Sequence, residues 1–184
     1  MPFVYGLGAI IVLIVLWAMA TYNGLIAGRN SVEEAFGGID VYLKKRYDLI
    51  PNVVETVKGY AAHEKETLEA VISARAKALG STSIDDKMAA EQNLSGALSR
   101  LLALSEAYPD LKANTNFMDL QNQLKMMETE IAGSRSNYNR VAMTYNNKVE
   151  RVPSNIIAGI FGFKRSPMFE ITNPVERENI KVQF

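Results

Sequence analysis

The chain has 184 residues, 48% of them apolar and 22% charged, a composition typical of a folded globular protein. Its 20 basic and 20 acidic side chains cancel, so no net charge favours nucleic acid or acidic substrates. The absence of cysteine excludes disulfides, thiolate nucleophiles and Cys-ligated metal centres, and a single histidine excludes a His-rich metal site within one chain. We therefore expect no cofactor, no metal, no nucleic-acid partner and no small-molecule substrate.

Residues 1–22 are predicted to form a transmembrane anchor. The first 28 residues carry no charged side chain, and the apolar run 3–20 is long enough for a helix to span the ~30 Å hydrocarbon layer. Tyr5 near one end, and Trp17 and Tyr22 near the other, suit the two interfacial belts of a bilayer. The side chains expected to contact lipid are Phe3, Val4, Ile10, Ile14, Leu16 and Trp17.

A cleaved signal peptide is the alternative, because Ala18-Met19-Ala20 has the pattern of small residues found at cleavage sites. We favour a retained anchor, since residues 1–5 contain no Lys or Arg and the apolar run exceeds a usual signal-peptide core. Arg29 and the basic run Lys44-Lys45-Arg46 follow the span. The positive-inside rule then predicts a single-pass protein with its N-terminus outside and its body in the cytoplasm.

Residues 23–153 show apolar positions at helical spacing, which predicts an all-α domain continuing from the anchor. Pro51 is interpreted as the first turn of a second helix and Ser83 as the N-cap of a third. Because the connections are short, successive helices are expected to pack as an antiparallel, up-down, coiled-coil-like four-helix bundle.

The fourth helix, about residues 116–150, has the most regular seam. Its apolar positions are separated by steps of three and four, as in left-handed helix packing. At ~1.5 Å per residue the first, second and fourth segments have similar lengths, so the end of the fourth returns to the membrane surface. The seam consists of Phe117, Leu120, Leu124, Met127, Ile131, Ser134, Tyr138, Val141 and Tyr145.

Residues 154–184 are predicted to form an apolar segment and a C-terminal tail. The apolar octet 156–163 precedes two basic residues and, delivered to the membrane surface, suits either the headgroup region or a contact with another subunit. A strip of core folded back on the end of the bundle is the alternative. The residues predicted for this contact are Tyr22, Ile156, Ile157, Ile160, Phe161, Phe163, Lys164 and Arg165.

The last five residues alternate apolar and polar side chains, which is typical of a strand. Residues 168–172 are a candidate partner strand, but an isolated two-stranded ribbon is marginal in water. Ile180, Val182 and Phe184 are therefore predicted to form an intersubunit strand, with packing on the bundle or a disordered tail as the alternatives.

The sequence lacks the residue patterns that usually indicate a catalytic site. Three residues before His63 stands Tyr60, so the Glu-x-x-His pattern of di-iron bundles is missing. Glu64, Arg75 and Glu91 fall on the apolar seams, where a buried ion cluster more often fixes helix register than performs chemistry. We expect no catalytic, cofactor-binding or metal-binding residues.

The motifs of the chain resemble those of the LemA family of bacterial membrane-anchored proteins. The resemblance implies one transmembrane helix, a helical domain and location in a bacterial cell membrane; it implies no enzyme, and a related magnetosome protein is linked to forming membrane compartments. The motifs that carry it are Tyr22-Asn23, Arg29-Asn30, Ile39-Asp40-Val41, Asp48-Leu49-Ile50-Pro51-Asn52, Val57-Lys58-Gly59-Tyr60, His63-Glu64, Tyr108-Pro109, Leu111-Lys112-Ala113, Asn116-Phe117, Leu120-Gln121, Tyr138-Asn139, Tyr145-Asn146 and Phe161-Gly162-Phe163.

Two functional hypotheses follow. The first is a non-enzymatic, membrane-anchored homo-oligomeric scaffold that organises or remodels membrane, with the bilayer and further copies of the chain as its partners. The alternative is a monomeric or dimeric sensor or adaptor bundle that acts on another membrane protein in signalling.

Overall fold

The computed structural model describes residues 2–169, with side chains from residue 5 onward. It contains six α-helices in this range: α1 (Pro2–Tyr60), α2 (Lys65–Gly80), α3 (Ile84–Ala103), α4 (Pro109–Lys112), α5 (Thr115–Glu150) and α6 (Ser154–Ile160). A single 3-10 turn, Leu104–Glu106, follows α3. Between residues 2 and 169 no strand is present, so the prediction of an all-α chain is confirmed there. The predicted strand residues Ile180, Val182 and Phe184 lie outside the described range.

The described chain divides into two compact units. One comprises the described residues of Met1–Gly28 and Asn139–Phe184, and the other is Arg29–Tyr138. Both α1 and α5 contribute residues to each unit.

The predicted apolar stripes form the core of the 29–138 unit. On α1 the stripe positions Val32, Ile39, Leu43 and Ile50 are buried, and on α5 so are Phe117, Leu124, Ile131 and Tyr138. Burial, together with the charge of Asp85, raises the pKa of Tyr138 to about 12, so this phenol stays neutral in the core. Helix α2 packs against α3. The spacing of apolar residues therefore identifies the inward faces correctly.

The ends of two helices are capped by side chains, as helix termini require. Ser83 Oγ accepts from the backbone N–H of Asp86 at 3.0 Å, which confirms the predicted N-cap of α3. At the start of α5, Asn114 Oδ1 accepts from the N–H of Phe117 at 2.9 Å. These bonds replace the intrahelical partners that the first turns lack.

The prediction that a new helix begins at Pro51 is wrong: α1 continues through this residue to Tyr60. Proline has no N–H, so the carbonyl of Tyr47, four residues earlier, loses its helical donor. Arg75 of α2 replaces that donor, because its Nε donates to the Tyr47 carbonyl at 2.8 Å. The apolar face also continues past the proline through Val53, Val54 and Val57, so packing favours an unbroken helix.

A buried ion cluster lies beside this point. The guanidinium of Arg46 and the carboxylate of Glu91, each 1% exposed, form a direct ion pair. Arg46 Nη1 also donates to Glu128 Oε2 at 2.6 Å and to Ser95 Oγ at 3.1 Å. The hydroxyl of Tyr47 donates to the other oxygen of Glu91. Side chains of α1, α3 and α5 are thereby held in one register.

The rest of the cluster places two positive charges near Glu91. Arg135 Nη2 lies 3.7 Å from Glu91 Oε2, and its burial, with the nearby charge of Arg46, lowers the pKa of Arg135. Burial and the bond to Glu91 raise the pKa of Tyr47 well above its usual value, so its hydroxyl remains a donor. Of the three charged seam residues, only Glu91 joins the cluster: Arg75 bonds the Tyr47 carbonyl, and Glu64 accepts from the hydroxyl of Tyr108 at 3.1 Å.

The Arg75 bond is expected to matter only while Pro51 is present. We expect Arg75→Ala to lower the free energy of unfolding by about 1 kcal/mol more in the natural chain than in a Pro51→Ala background, where the alanine supplies its own N–H to the Tyr47 carbonyl. Urea unfolding of the four proteins of this double-mutant cycle measures the coupling. Lys77→Ala, on the exposed side of α2, is the control that should show none; equal costs of Arg75→Ala in both backgrounds would contradict the assignment.

Substitutions of the two acidic partners of Arg46 should lower the free energy of unfolding by very different amounts. Glu91→Gln removes the buried countercharge and is expected to lower the free energy of unfolding by roughly 3 kcal/mol or more. Glu128→Gln changes a side chain that is 52% exposed and should cost less than about 1 kcal/mol. Urea unfolding measures both; similar costs for the two variants would show that burial does not govern the cluster.

Candidate membrane-contact site

Helix α1 begins with a segment whose side chains, from residue 5 to residue 17, are exposed in the described part of the chain. Along it the large apolar side chains, Ile10, Ile14, Leu16 and Trp17 among them, are exposed. An all-round apolar surface of this kind is typical of a helix that contacts lipid. Among the described residues, α1 is the one helix long and apolar enough to cross a membrane. Phe3 and Val4 belong to the same helix, but their side chains fall outside the described ones.

Near the end of the predicted anchor, Tyr22 contacts the end of α6. The ring centroid of Tyr22 lies 4.7 Å from that of Phe161 and 5.7 Å from that of Phe163, in tilted and edge-on geometry. Both arrangements are favourable for aromatic pairs. Three of the residues predicted for the membrane contact are thus brought together.

Helices α1 and α5 approach closely at Gly28, six residues after Tyr22. A Cβ built on Gly28 would lie 3.0 Å from Cδ2 of Tyr145, whereas one on Gly24 would meet nothing within 4 Å. The ring of Tyr145 is buried against this glycine. Lys148 Nζ also donates to the carbonyl of Gly24 at 3.5 Å. Close helix packing at a glycine therefore occurs at Gly28.

Helix α6 divides the predicted octet into two faces. Ile157 and Ala158 are buried, so one side packs on the protein. Ile156 and Ile160, one helical turn apart, are 56% and 69% exposed, and Phe161 is 58% exposed. The octet thus combines part of a folded core with an exposed apolar face.

The end of α6 is fixed by a glycine turn. Gly162 adopts φ 69°, the N–H of Phe163 bonds to the carbonyl of Ala158 at 2.9 Å, and the N–H of Gly162 bonds to that of Gly159 at 3.4 Å. This pattern is the Schellman motif, in which the left-handed residue is normally glycine. The turn leads directly into Lys164 and Arg165, which are exposed, and Arg165 Nη1 lies 3.1 Å from Glu150 Oε1. Such an exposed ion pair contributes little and leaves the arginine able to exchange partners.

Asn139 and Asn146 of α5 bind the segment that follows Arg165. The sequence alone assigned no role to these two asparagines. The carboxamide of Asn146 bonds both backbone groups of Ser166, and that of Asn139 bonds both backbone groups of Phe169. The signal in the sequence was the repeated Tyr-Asn dipeptide, seven residues apart on one helix face. In each dipeptide the tyrosine is buried and the next residue reaches the tail.

Two features of the described residues concern metal binding and nucleophile chemistry. Residues 2–169 include no group of three or more His, Cys, Asp or Glu side chains able to hold a metal ion. An open groove of about 500 Å³ is lined by leucine, hydroxyl and amide side chains together with the charged side chains of Arg46, Lys125 and Glu128. Its Ser95 hydroxyl accepts from the Arg46 guanidinium, an arrangement that does not activate a nucleophile.

Comparison with known proteins gives one family match and several relatives. The model of the LemA family matches residues 35–184. Protein LemA of Metamycoplasma hominis is 26% identical over 163 residues, covering 86% of this chain and 72% of that protein. Magnetosome protein MamQ 2 of Paramagnetospirillum magneticum is 27% identical over 198 residues, covering 91% of this chain and 72% of its own.

A third relative is matched over a smaller share of its length. Magnetosome protein MamQ of Magnetospirillum gryphiswaldense is 25% identical over 175 residues, covering 80% of this chain and 64% of that protein. The family match extends over most of the chain, and it agrees with the resemblance that the motifs indicate. The chain belongs to the LemA family.

Proposed function

We propose that this chain is a non-enzymatic, membrane-anchored homo-oligomeric scaffold that organises or remodels membrane. The observation that carries the proposal is the exposed apolar face of α6, held by Phe161 against Tyr22 at the end of the lipid-exposed helix. In this proposal residues 1–22 anchor the chain, residues 23–153 form an antiparallel four-helix bundle, and residues 154–184 supply the apolar segment and the tail.

The exposed face of α6 suits the interface between headgroups and acyl chains. Tyr22 is an amphipathic ring at the end of an apolar span, a position that tyrosine favours at the membrane–water boundary. Tyr22 contacts Phe161, and the proposal therefore places the exposed side chains Ile156 and Ile160 near the same boundary. Transfer of each such side chain from water is favourable by about 1.5–3 kcal/mol. Lys164 and Arg165, which follow the turn, are placed to approach anionic headgroups.

Self-association follows from the small size of this membrane contact. A seven-residue interfacial helix and one transmembrane helix displace little lipid per chain, so shaping a bilayer requires many copies side by side. Two of the relatives carry the word magnetosome in their names, which agrees with a role at membranes. Arg29 and the later basic run support a bundle on the cytoplasmic side of a bacterial cell membrane, with the N-terminus outside.

The native mass of the full-length protein, extracted in mild detergent, tests the scaffold directly. We expect a discrete species containing many copies, since the scaffold acts through assembly. A monomer or dimer at all concentrations would rule out the scaffold and favour a sensor or adaptor, which mild crosslinking should then capture with a stoichiometric membrane-protein partner.

The depth of α6 can be measured because the chain has no native cysteine. We expect an environment-sensitive dye on Ile160→Cys, in full-length protein reconstituted in vesicles, to be quenched by lipids spin-labelled near the headgroup. The same dye on Ile72→Cys, an isoleucine of α2 that is 52% exposed, should not be quenched.

The control position also reports sidedness. With a cytoplasmic bundle, a membrane-impermeant maleimide should modify Ile72→Cys in cells only after the membrane is permeabilised. Equal protection of positions 160 and 72 from lipid quenchers would contradict the interfacial location of α6, and labelling of position 72 in intact cells would reverse the orientation.

A further inference from the structure

Asn139 and Asn146 bind the chain that follows α6 through its backbone. Asn146 Nδ2 donates to the Ser166 carbonyl at 2.9 Å, and Asn146 Oδ1 accepts from the Ser166 N–H at 2.8 Å. Asn139 repeats the arrangement with Phe169, and both of its bonds are 2.8 Å long. Each carboxamide therefore pairs with one residue as the edge of a strand would.

The two pairs have matching spacing and opposite chain direction. Seven residues of α-helix rise ~10.5 Å, and three residues of extended chain span ~10 Å. Both asparagine–backbone pairs, called rungs below, can therefore form at once without strain. Position 146 pairs with 166 and position 139 with 169, so the segment runs antiparallel to α5. Pro167, which has no N–H, lies between the rungs, where neither carboxamide needs a donor.

Recognition through these bonds is indifferent to side chains. All four hydrogen bonds reach backbone atoms, so any extended segment with an N–H at both rung positions satisfies them. With the segment in place Asn146 is 3% exposed, so its two hydrogen bonds to Ser166 are shielded from water. The two carboxamides therefore recognise an extended chain but do not specify which copy supplies it.

We propose that Asn139 and Asn146 form a clamp for extended polypeptide, and that residues 166–169 of a second copy can fill it in place of the chain's own. The inference rests on the proposed homo-oligomer and names the contact that links its copies. The positive φ of Gly162 sets the direction in which residues 163–169 leave α6. In this proposal a change of backbone conformation at Gly162 redirects the segment from its own clamp to that of a second copy.

The balance between the two sources depends on the density of copies. A segment tethered by a few residues competes at an effective concentration of the order of millimolar, so the chain's own segment fills the clamp when copies are dilute. Anchored copies confined to one bilayer reach comparable local concentrations. Exchange of residues 166–169 between copies is therefore expected where copies are crowded in the membrane. The same four hydrogen bonds are broken within one copy and formed with the next.

Mixed-isotope crosslinking distinguishes the sources in the full-length protein. Equal amounts of ¹⁴N- and ¹⁵N-labelled chains, each with a photoreactive residue at Met168, are reconstituted together in vesicles at increasing density. We expect crosslinks from position 168 to residues 139–146 that join the two isotopes, and we expect their share to rise with density.

Substitutions on the tail test whether the backbone carries the binding. Ser166→Pro removes the N–H that Asn146 accepts and should reduce mixed-isotope crosslinks by about tenfold, whereas Ser166→Ala keeps the backbone and should leave them within twofold. Neither change touches the core of α5. On the helix, Asn146→Asp removes the donor to Ser166 and should act like Ser166→Pro; Asn147→Asp adds the same charge at an exposed neighbour and should not.

Each outcome decides between the proposals. Oligomers in which every crosslink joins the same isotope would overturn the exchange and leave the scaffold standing. Monomers at all densities would overturn both. Mixed crosslinks that survive Ser166→Pro and Asn146→Asp alike would show that copies meet elsewhere and that the clamp does not join them.

Discussion

The hydrogen bond from Arg75 Nε to the Tyr47 carbonyl replaces the backbone donor that α1 loses at Pro51. A proline inside a helix removes one backbone donor and crowds the carbonyl four residues back. Here the affected carbonyl belongs to Tyr47, whose side chain bonds Glu91, and the residue before it is Arg46. The bond that spans Pro51 and the side chains of the ion cluster therefore belong to the same turn of α1. With that turn intact, the face of α1 that packs in the core extends without a break to Val57.

The inward faces of the helices could be predicted because burial repeats with the helical period. Leu94, Leu98 and Leu101 on α3, and Phe117, Leu124 and Ile131 on α5, are buried where their spacing places them. The start assigned at Pro51 was wrong because proline's preference for a first turn is local, whereas Arg75 acts from 28 residues away. Arg46 was missed for a related reason. It lies three residues after Leu43 and four before Ile50, but from the sequence it was considered only within the basic run Lys44-Lys45-Arg46 that sets membrane orientation.

For the membrane-contact residues, the sequence predicted the segment but not which of its side chains are buried. Composition identified the apolar octet 156–163, yet it could not divide the octet into buried Ile157 and exposed Ile160, which requires the helix phase set by Pro153 and Gly162. The two asparagines are harder still. An asparagine on a helix is ordinarily a poor helix former, and only tertiary structure shows that its carboxamide meets a backbone. The heptad spacing of Tyr138 and Tyr145 suggested a shared face but not its partner.

Hydrogen bonds to backbone atoms also have an evolutionary consequence. Substitutions that keep the N–H groups of Ser166 and Phe169 keep the donors and acceptors of the four bonds to Asn139 and Asn146. Selection on lipid recognition, acting through exposed residues such as Lys164 and Arg165, is then separable from selection on docking. The segment is free to adapt its charge to different bilayers while the geometry that holds it stays the same.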